Sequence, residues 1–175
     1  MGHEATLLLG IGNVLRGDDG VGAFLVEEWA REQGARGPQA PPLTGTEWKS
    51  VQQLTPELAP LVAMAGRVLM VDAWAGAGSA GPGIAILLPA SQHRTGPRLL
   101  PTEAKTVPPG GLGGHGLDPL TLLWIARSLY GWRGEGALLR VPAHAFGHGS
   151  GFSVPLKRSL PRARQLLRHW LRARG

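Results

Sequence analysis

Short continuous apolar runs alternate along the chain with longer stretches in which apolar residues recur every three or four positions. The first run, Thr6 to Ile11, ends at glycine and predicts a buried strand. Gly20 to Gln33 carries Val21, Phe24, Leu25 and Trp29 on one stripe, which predicts a helix with Gly34 as its terminator. Ala35 to Pro42 is a Gly/Pro-rich connection, and Leu43 to Trp48 is a weak strand pattern. Thr55 to Ala65 predicts a helix, with Thr55 as N-cap, Pro56 at the first helical position and Glu57 in the first turn. Arg67 to Val71 predicts a strong strand that runs straight into Asp72. Gly76 to Gly83 is a small-residue turn, and Ile84 to Leu88 a further strand. Asp118 to Tyr130 predicts a helix with Asp118 as N-cap and Pro119 behind it. Ala137 to Val141 is the last strand, and Pro142 to Ser153 a glycine-rich loop. Beyond it Leu156, Leu160, Ala163, Leu167, Trp170 and Leu171 keep helical spacing.

Strands alternating with helices predict an α/β fold, a mostly parallel sheet covered on both faces. Residues 1–175 are read as one domain. Ser91 to Gly114 is Gly/Pro-rich without periodicity, but residues 115–175 alone would make a poor domain, so the segment is read as an active-site loop and not a linker. Composition changes this picture little. Hydrophobic residues make up 43%, ordinary for a globular chain, and the absence of cysteine excludes disulfides, thiolate zinc sites and cysteine nucleophiles. No apolar stretch reaches the ~18–20 residues of a membrane span, so no membrane insertion is expected. The N-terminus lacks a basic region followed by an apolar core, and a cytoplasmic location is expected.

Formal net charge is +6, much of it carried by Lys157, Arg158, Arg162, Arg164, Arg168, Arg172 and Arg174 on the last helix. Charge alone does not indicate nucleic acid, and none is expected as a partner. The row reads as the solvated Arg-rich face of an amphipathic helix, with a docking surface for an acidic partner as the alternative.

The chemistry concentrates where strands end. In open α/β sheets the loops at the carboxyl ends of strands form the binding crevice. Asp18 and Asp19 close the turn between the first strand and the first helix; Asp72 follows its strand; His115 lies in Gly113-Gly114-His115-Gly116 ahead of the helix at Asp118. In a parallel sheet these positions fall at one edge. Asp19, Asp72 and His115 then offer two carboxylates and one imidazole, a mixed oxygen and nitrogen set suited to a divalent transition ion with positions open for substrate or water. Taken singly, Asp18 or Asp19 would N-cap the helix, Asp72 would be a turn residue and His115 a structural or surface histidine. His144 and His148 have i, i+4 spacing but sit among Pro142, Gly147, Gly149 and Gly151, a poor helix context for a metal pair. Gly10-Ile11-Gly12 after a strand suggests a dinucleotide turn. The third glycine position is Leu15, however, and Asp18 and Asp19 would repel a pyrophosphate.

With these residues in view, the chain resembles the hydrogenase maturation proteases. These endopeptidases trim the C-terminal extension from the large subunit of nickel–iron hydrogenases. The matching blocks are Gly10-Ile-Gly-Asn-Val-Leu-Arg-Gly-Asp-Asp-Gly-Val-Gly22, Val71-Asp72-Ala73, Gly81-Pro82-Gly83, His115-Gly116-Leu117 and Gly149-Ser-Gly-Phe-Ser153, which span nearly the whole chain in the family's order. The resemblance implies a three-layer αβα fold around a mostly parallel sheet with one antiparallel strand. It implies that Asp19, Asp72 and His115 contact metal and carry catalysis. The implied partner is a hydrogenase large-subunit precursor, and the nickel comes with that precursor, with no tightly bound cofactor expected. The family has Glu or Asp at the first of these positions, here Asp19, and often serines where this chain has glycines around His115. The ion, or a carboxylate, then polarises the scissile amide or activates water. Gly10 and Gly12 would let an extended substrate backbone approach, and Asn13 would hold either a substrate carbonyl or its own turn. The alternative reading is a noncatalytic nickel-sensing chaperone or adaptor for hydrogenase assembly; a small-molecule hydrolase rests on fold analogy alone.

Overall fold

A computed structural model of the chain describes residues 5–35, 45–75, 81–88, 117–149 and 151–173. Five strands form one sheet in the order β2-β1-β3-β5-β4. They are β1 (Thr6–Ile11), β2 (Thr46–Val51), β3 (Arg67–Trp74), β4 (Gly83–Leu88) and β5 (Glu135–Pro142). The first, second, third and fifth run parallel, and β4 pairs antiparallel with β5. The helices are α1 (Val21–Ala35), α2 (Ala59–Ala63), α3 (Pro119–Tyr130) and α4 (Val154–Arg172), with short 3₁₀ turns at Gly17–Gly20 and Pro56–Leu58.

Period-two alternation along the strands feeds two separate cores. Leu7, Leu9 and Ile11 of β1, with Val68 and Met70 of β3, pack against α2 and α3. Leu8, Leu69, Val71 and Leu139 face the other way, onto α1 and α4. The middles of the central strands, Leu7–Leu9 and Val68–Val71, are continuously apolar because both faces are covered. The result is three layers, helices on either side of a mostly parallel sheet.

The predicted elements are present, with instructive differences at their ends. β1 and α3 have the expected bounds: Asp118 accepts from Thr121 N at 3.0 Å, and Gly131 closes α3 in the left-handed region, φ 67°. α1 runs through Gly34 to Ala35, because a lone exposed glycine with nothing packed on it lowers propensity without ending a helix. β2 lies three residues later than the weak pattern suggested, its register set by pairing with β1. The Thr55–Ala65 helix divides into a 3₁₀ turn and the single-turn α2, and the Thr55 side chain makes no cap to a backbone N–H. The second proline, Pro60, falls at the start of α2, where its missing N–H costs nothing. β3 continues past Val71 to Trp74, so Asp72 sits inside the strand opposite Arg140 of β5, not in the turn after it.

The last helix also differs from its expected picture. Its apolar residues are buried as predicted, but Arg164 and Arg168 do not belong to a purely solvated face. Arg164 grips Glu28 of α1 through two bonds of 2.6 and 2.8 Å, and Arg168 meets Glu32 at 2.7 and 2.9 Å. These pairs lace α4 to α1 on one side of the sheet. Among the described residues no helix is long and apolar enough to cross a membrane.

Candidate functional site

All four parallel strands end at one edge, and Asp19 and Asp72 lie near it. β1 stops at Ile11, and the chain turns through Gly12 and Asn13 into the 3₁₀ turn that carries Asp18 and Asp19. This turn is built by backbone contact. Gly12 has φ +127°, and a Cβ there would run into the Asp19 carbonyl. A Cβ on Gly10 would meet Gly22 O at 2.6 Å, and one on Gly22 would meet the carbonyls of Ile11 and Val71. The Cβ directions of Gly10 and Gly12 are therefore taken up by α1 and its lead-in turn. Asn13 accepts from Leu15 N at 2.9 Å through its side-chain carbonyl, which settles that carbonyl on its own turn.

The two adjacent aspartates have different environments. Asp18 is wholly buried. Its carboxylate accepts from His144 N (2.8 Å), Ala145 N (3.0 Å), Ser153 N (2.7 Å) and Ser153 Oγ (2.7 Å). Its own N–H donates to Ala145 O at 2.8 Å. Burial pushes the Asp18 carboxyl up, but the hydrogen bonds from Ser153, His144 and Ala145 outweigh it and hold it below the usual carboxylate range. Neither aspartate makes the expected helix N-cap in isolation: Asp18 instead ties the first loop of the chain to the loop between β5 and α4. Sequence reasoning missed this role. The signal available was Ser153, a serine standing ahead of the last helical pattern, which caps α4 by accepting from Leu156 N at 3.3 Å.

Asp19 is half-buried, and its Oδ2 accepts from Asn13 N at 3.0 Å, leaving the carboxylate at the mouth of the turn. Asp72 lies near enough for the charge of Asp19 to act on it. Burial pushes the Asp72 carboxyl up to about 7; a hydrogen bond from Ala73 N opposes the rise and the negative Asp19 adds to it. Its register neighbour Arg140 does not offset this: the guanidinium sits 4.8 Å over the ring of Trp74. Among the described residues no ion pair joins a cation to Asp72. The edge thus holds two carboxylates, Asp19 tied to its own turn and Asp72 raised toward neutrality mainly by burial.

The third expected member, His115, lies outside the described residues, as do 91–114. The described chain resumes at Leu117, whose N–H donates to Leu54 O at 3.1 Å just beyond β2. Among the described residues no three His, Asp or Glu side chains gather as a metal-binding group. His144 and His148 are both exposed, and the backbone N–H of His144 donates to Asp18.

Comparison with solved structures places the fold. The chain is similar to the hydrogenase maturating endopeptidase HybD from E. coli, with 18% identity, TM-score 0.69, and coverage of 96% of this chain and 92% of that one. It is similar to the [NiFe] hydrogenase maturation protease HycI from Thermococcus kodakarensis, at 21% identity and TM-score 0.60, over 97% of this chain and 94% of that one. HybD from Thermococcus kodakarensis, also a [NiFe] hydrogenase maturation protease, superposes at 15% identity and TM-score 0.62, over 96% of this chain and 99% of that one. No family model and no curated relative matches the chain. The three-layer arrangement with one antiparallel strand is thus the fold of these endopeptidases.

Proposed function

We propose that the chain is an endopeptidase that removes the C-terminal extension of a nickel–iron hydrogenase large-subunit precursor once nickel has been inserted. One observation supports this reading: on the fold of the maturation endopeptidases, Asp72 lies near the carboxyl edge of the sheet within reach of the charge of Asp19. Two oxygen donors at an edge crevice suit a divalent ion brought in by the substrate. The ion's charge relieves the repulsion between the two groups and draws the proton from Asp72. His115 is proposed as the third contact.

Recognition then works as a gate. A precursor without nickel leaves Asp72 protonated and lacks the ligand bridge that seats its peptide. A nickel-loaded precursor is held with the scissile amide beside the carboxylates. There a water loses a proton to a carboxylate as its oxygen bonds to the amide carbon, and that proton passes on to the departing amine. Asn13 and the turn it stabilises hold Asp19 in place.

The test is cleavage of purified precursor, nickel-loaded and nickel-free, followed by mass spectrometry of the released peptide. Release from the loaded form alone is expected, and Asp19→Asn should abolish it in a protein that stays folded. Equal release from both forms removes the gate. Tight nickel binding by the isolated chain with no peptide product favours the chaperone or adaptor reading.

A further inference from the structure

Beside the acid turn lies an apolar cleft of about 270 Å³, lined by Val14, Gly17, Gly20, Phe24, Gly151 and Phe152. None of these residues carries a charge. Phe24 of α1 and Phe152 of the β5–α4 loop meet edge to face, with centroids 5.1 Å apart and planes at 83°, and so make a firm aromatic wall. Val14 is 61% exposed, and the adjoining Leu15 is 67% exposed. Two large apolar side chains left in water on one turn, next to an apolar hollow, mark a surface meant to be covered.

The position of the cleft says what covers it. Gly17 and Gly20 are the two ends of the 3₁₀ turn that carries Asp18 and Asp19. The cleft therefore adjoins the turn that carries Asp19. Its other wall belongs to the loop that Asp18 holds in place through Ser153. The volume is below the roughly 300–1,000 Å³ of pockets that enclose a whole small-molecule ligand, and fits one or two side chains.

We propose that this cleft is a specificity subsite that receives an apolar side chain of the precursor peptide beside the scissile bond. The inference rests on the endopeptidase reading for the identity of the peptide, and on the cleft's own lining for the chemistry of the side chain. Burying an apolar side chain here anchors the peptide at a fixed offset from Asp19. A charged side chain at the same place would lose its hydration with no partner to replace it.

Gly151 gives a clean test, because a Cβ built there meets no atom within 4 Å. Gly151→Leu fills open space at the cleft without displacing the core. With nickel-loaded precursor the variant should raise KM by about tenfold or more, with kcat much less affected and an unchanged Tm. A parallel arm needs no cleavage. N-acetyl-leucinamide should shift the Val14 methyl and Phe24 and Phe152 ring resonances of the wild-type protein but not of Gly151→Leu, and N-acetyl-aspartamide should shift neither. Cleavage by wild type and variant with the same KM overturns the subsite. If the wild type fails to cleave, the endopeptidase reading falls and the probe arm decides the cleft alone. Selective shifts by the leucine probe uphold an apolar side-chain site; no shifts, or equal shifts by both probes, end it.

Discussion

Asp72 holds its carboxyl in a state the unfolded chain does not share. Half-buried in β3 and within reach of the charge of Asp19, it is pushed up to about 7 in the folded protein against 3.8 in the open chain. Between those values the native state keeps a proton that the unfolded state has lost, so raising the pH through this window destabilises the fold. Above the window the penalty levels off at about 4 kcal/mol, on the order of 1.4 kcal/mol per unit. Asp72→Asn removes the titration. In the ligand-free protein it should raise Tm clearly at pH 8 and little at pH 4, while ending cleavage of the nickel-loaded precursor. Thermal melts of both proteins at the two pH values check this, and an identical Tm difference at both would show that Asp72 ionises normally. The sequence showed the residue but not its state. Val71-Asp72-Ala73 reads as a strand running into a polar turn, and nothing local says that β3 continues to Trp74 or that Arg140 is held over that ring and not beside the carboxylate. Such facts depend on which strand lies next in the sheet, and that is not written within one segment.

The elements meet through a second aspartate whose importance lies in what it joins. Asp18 fastens the turn before α1 to the loop before α4, and Ser153 serves both as its partner and as the cap of α4. Asp18→Ala would leave buried backbone donors of His144, Ala145 and Ser153 unpaired, at a cost of ~3–5 kcal/mol. Ser153→Ala loses one hydroxyl bond and a cap, about 1–2 kcal/mol, and keeps the backbone donors satisfied. Urea denaturation of the two variants measures the difference, and equal small losses would mean that the loops are held by other contacts. The carboxylate is depressed in the folded state, so its contribution is complete above the unfolded value near 3.8 and fades as pH falls through the lower folded value. At this scale the sequence is readable where elements carry their own signals. β1 is a continuous apolar run, and α3 has Asp118-Pro119 at one end and Gly131 at the other. β2 is harder, because an edge strand with exposed Glu47, Trp48 and Lys49 shows no buried alternation to fix its frame. The joining of two loops more than 120 residues apart is harder still: the Asp-Asp pair was legible as polar chemistry, but which of the two points inward depends on the loop after β5.

For the whole molecule the question is whose ion the site handles. Burial and the charge of Asp19 raise the Asp72 carboxyl to about 7, so a cation arriving there would displace a proton as it binds. Under the proposed gate, the remaining ligands arrive with the ion from the precursor. This separates two orders of addition that a conventional metalloprotease would not distinguish. Treating the enzyme with a chelator, removing the chelator and mixing with nickel-loaded precursor should leave cleavage at its full rate. Treating the precursor in the same way before mixing should stop cleavage, and reloading that precursor with nickel should restore it. Metal analysis of each protein after treatment confirms where the ion was. Loss of activity after chelation of the enzyme alone, recovered by adding nickel to the enzyme, would assign the ion to this chain and turn the proposed gate into an ordinary metal-dependent peptidase.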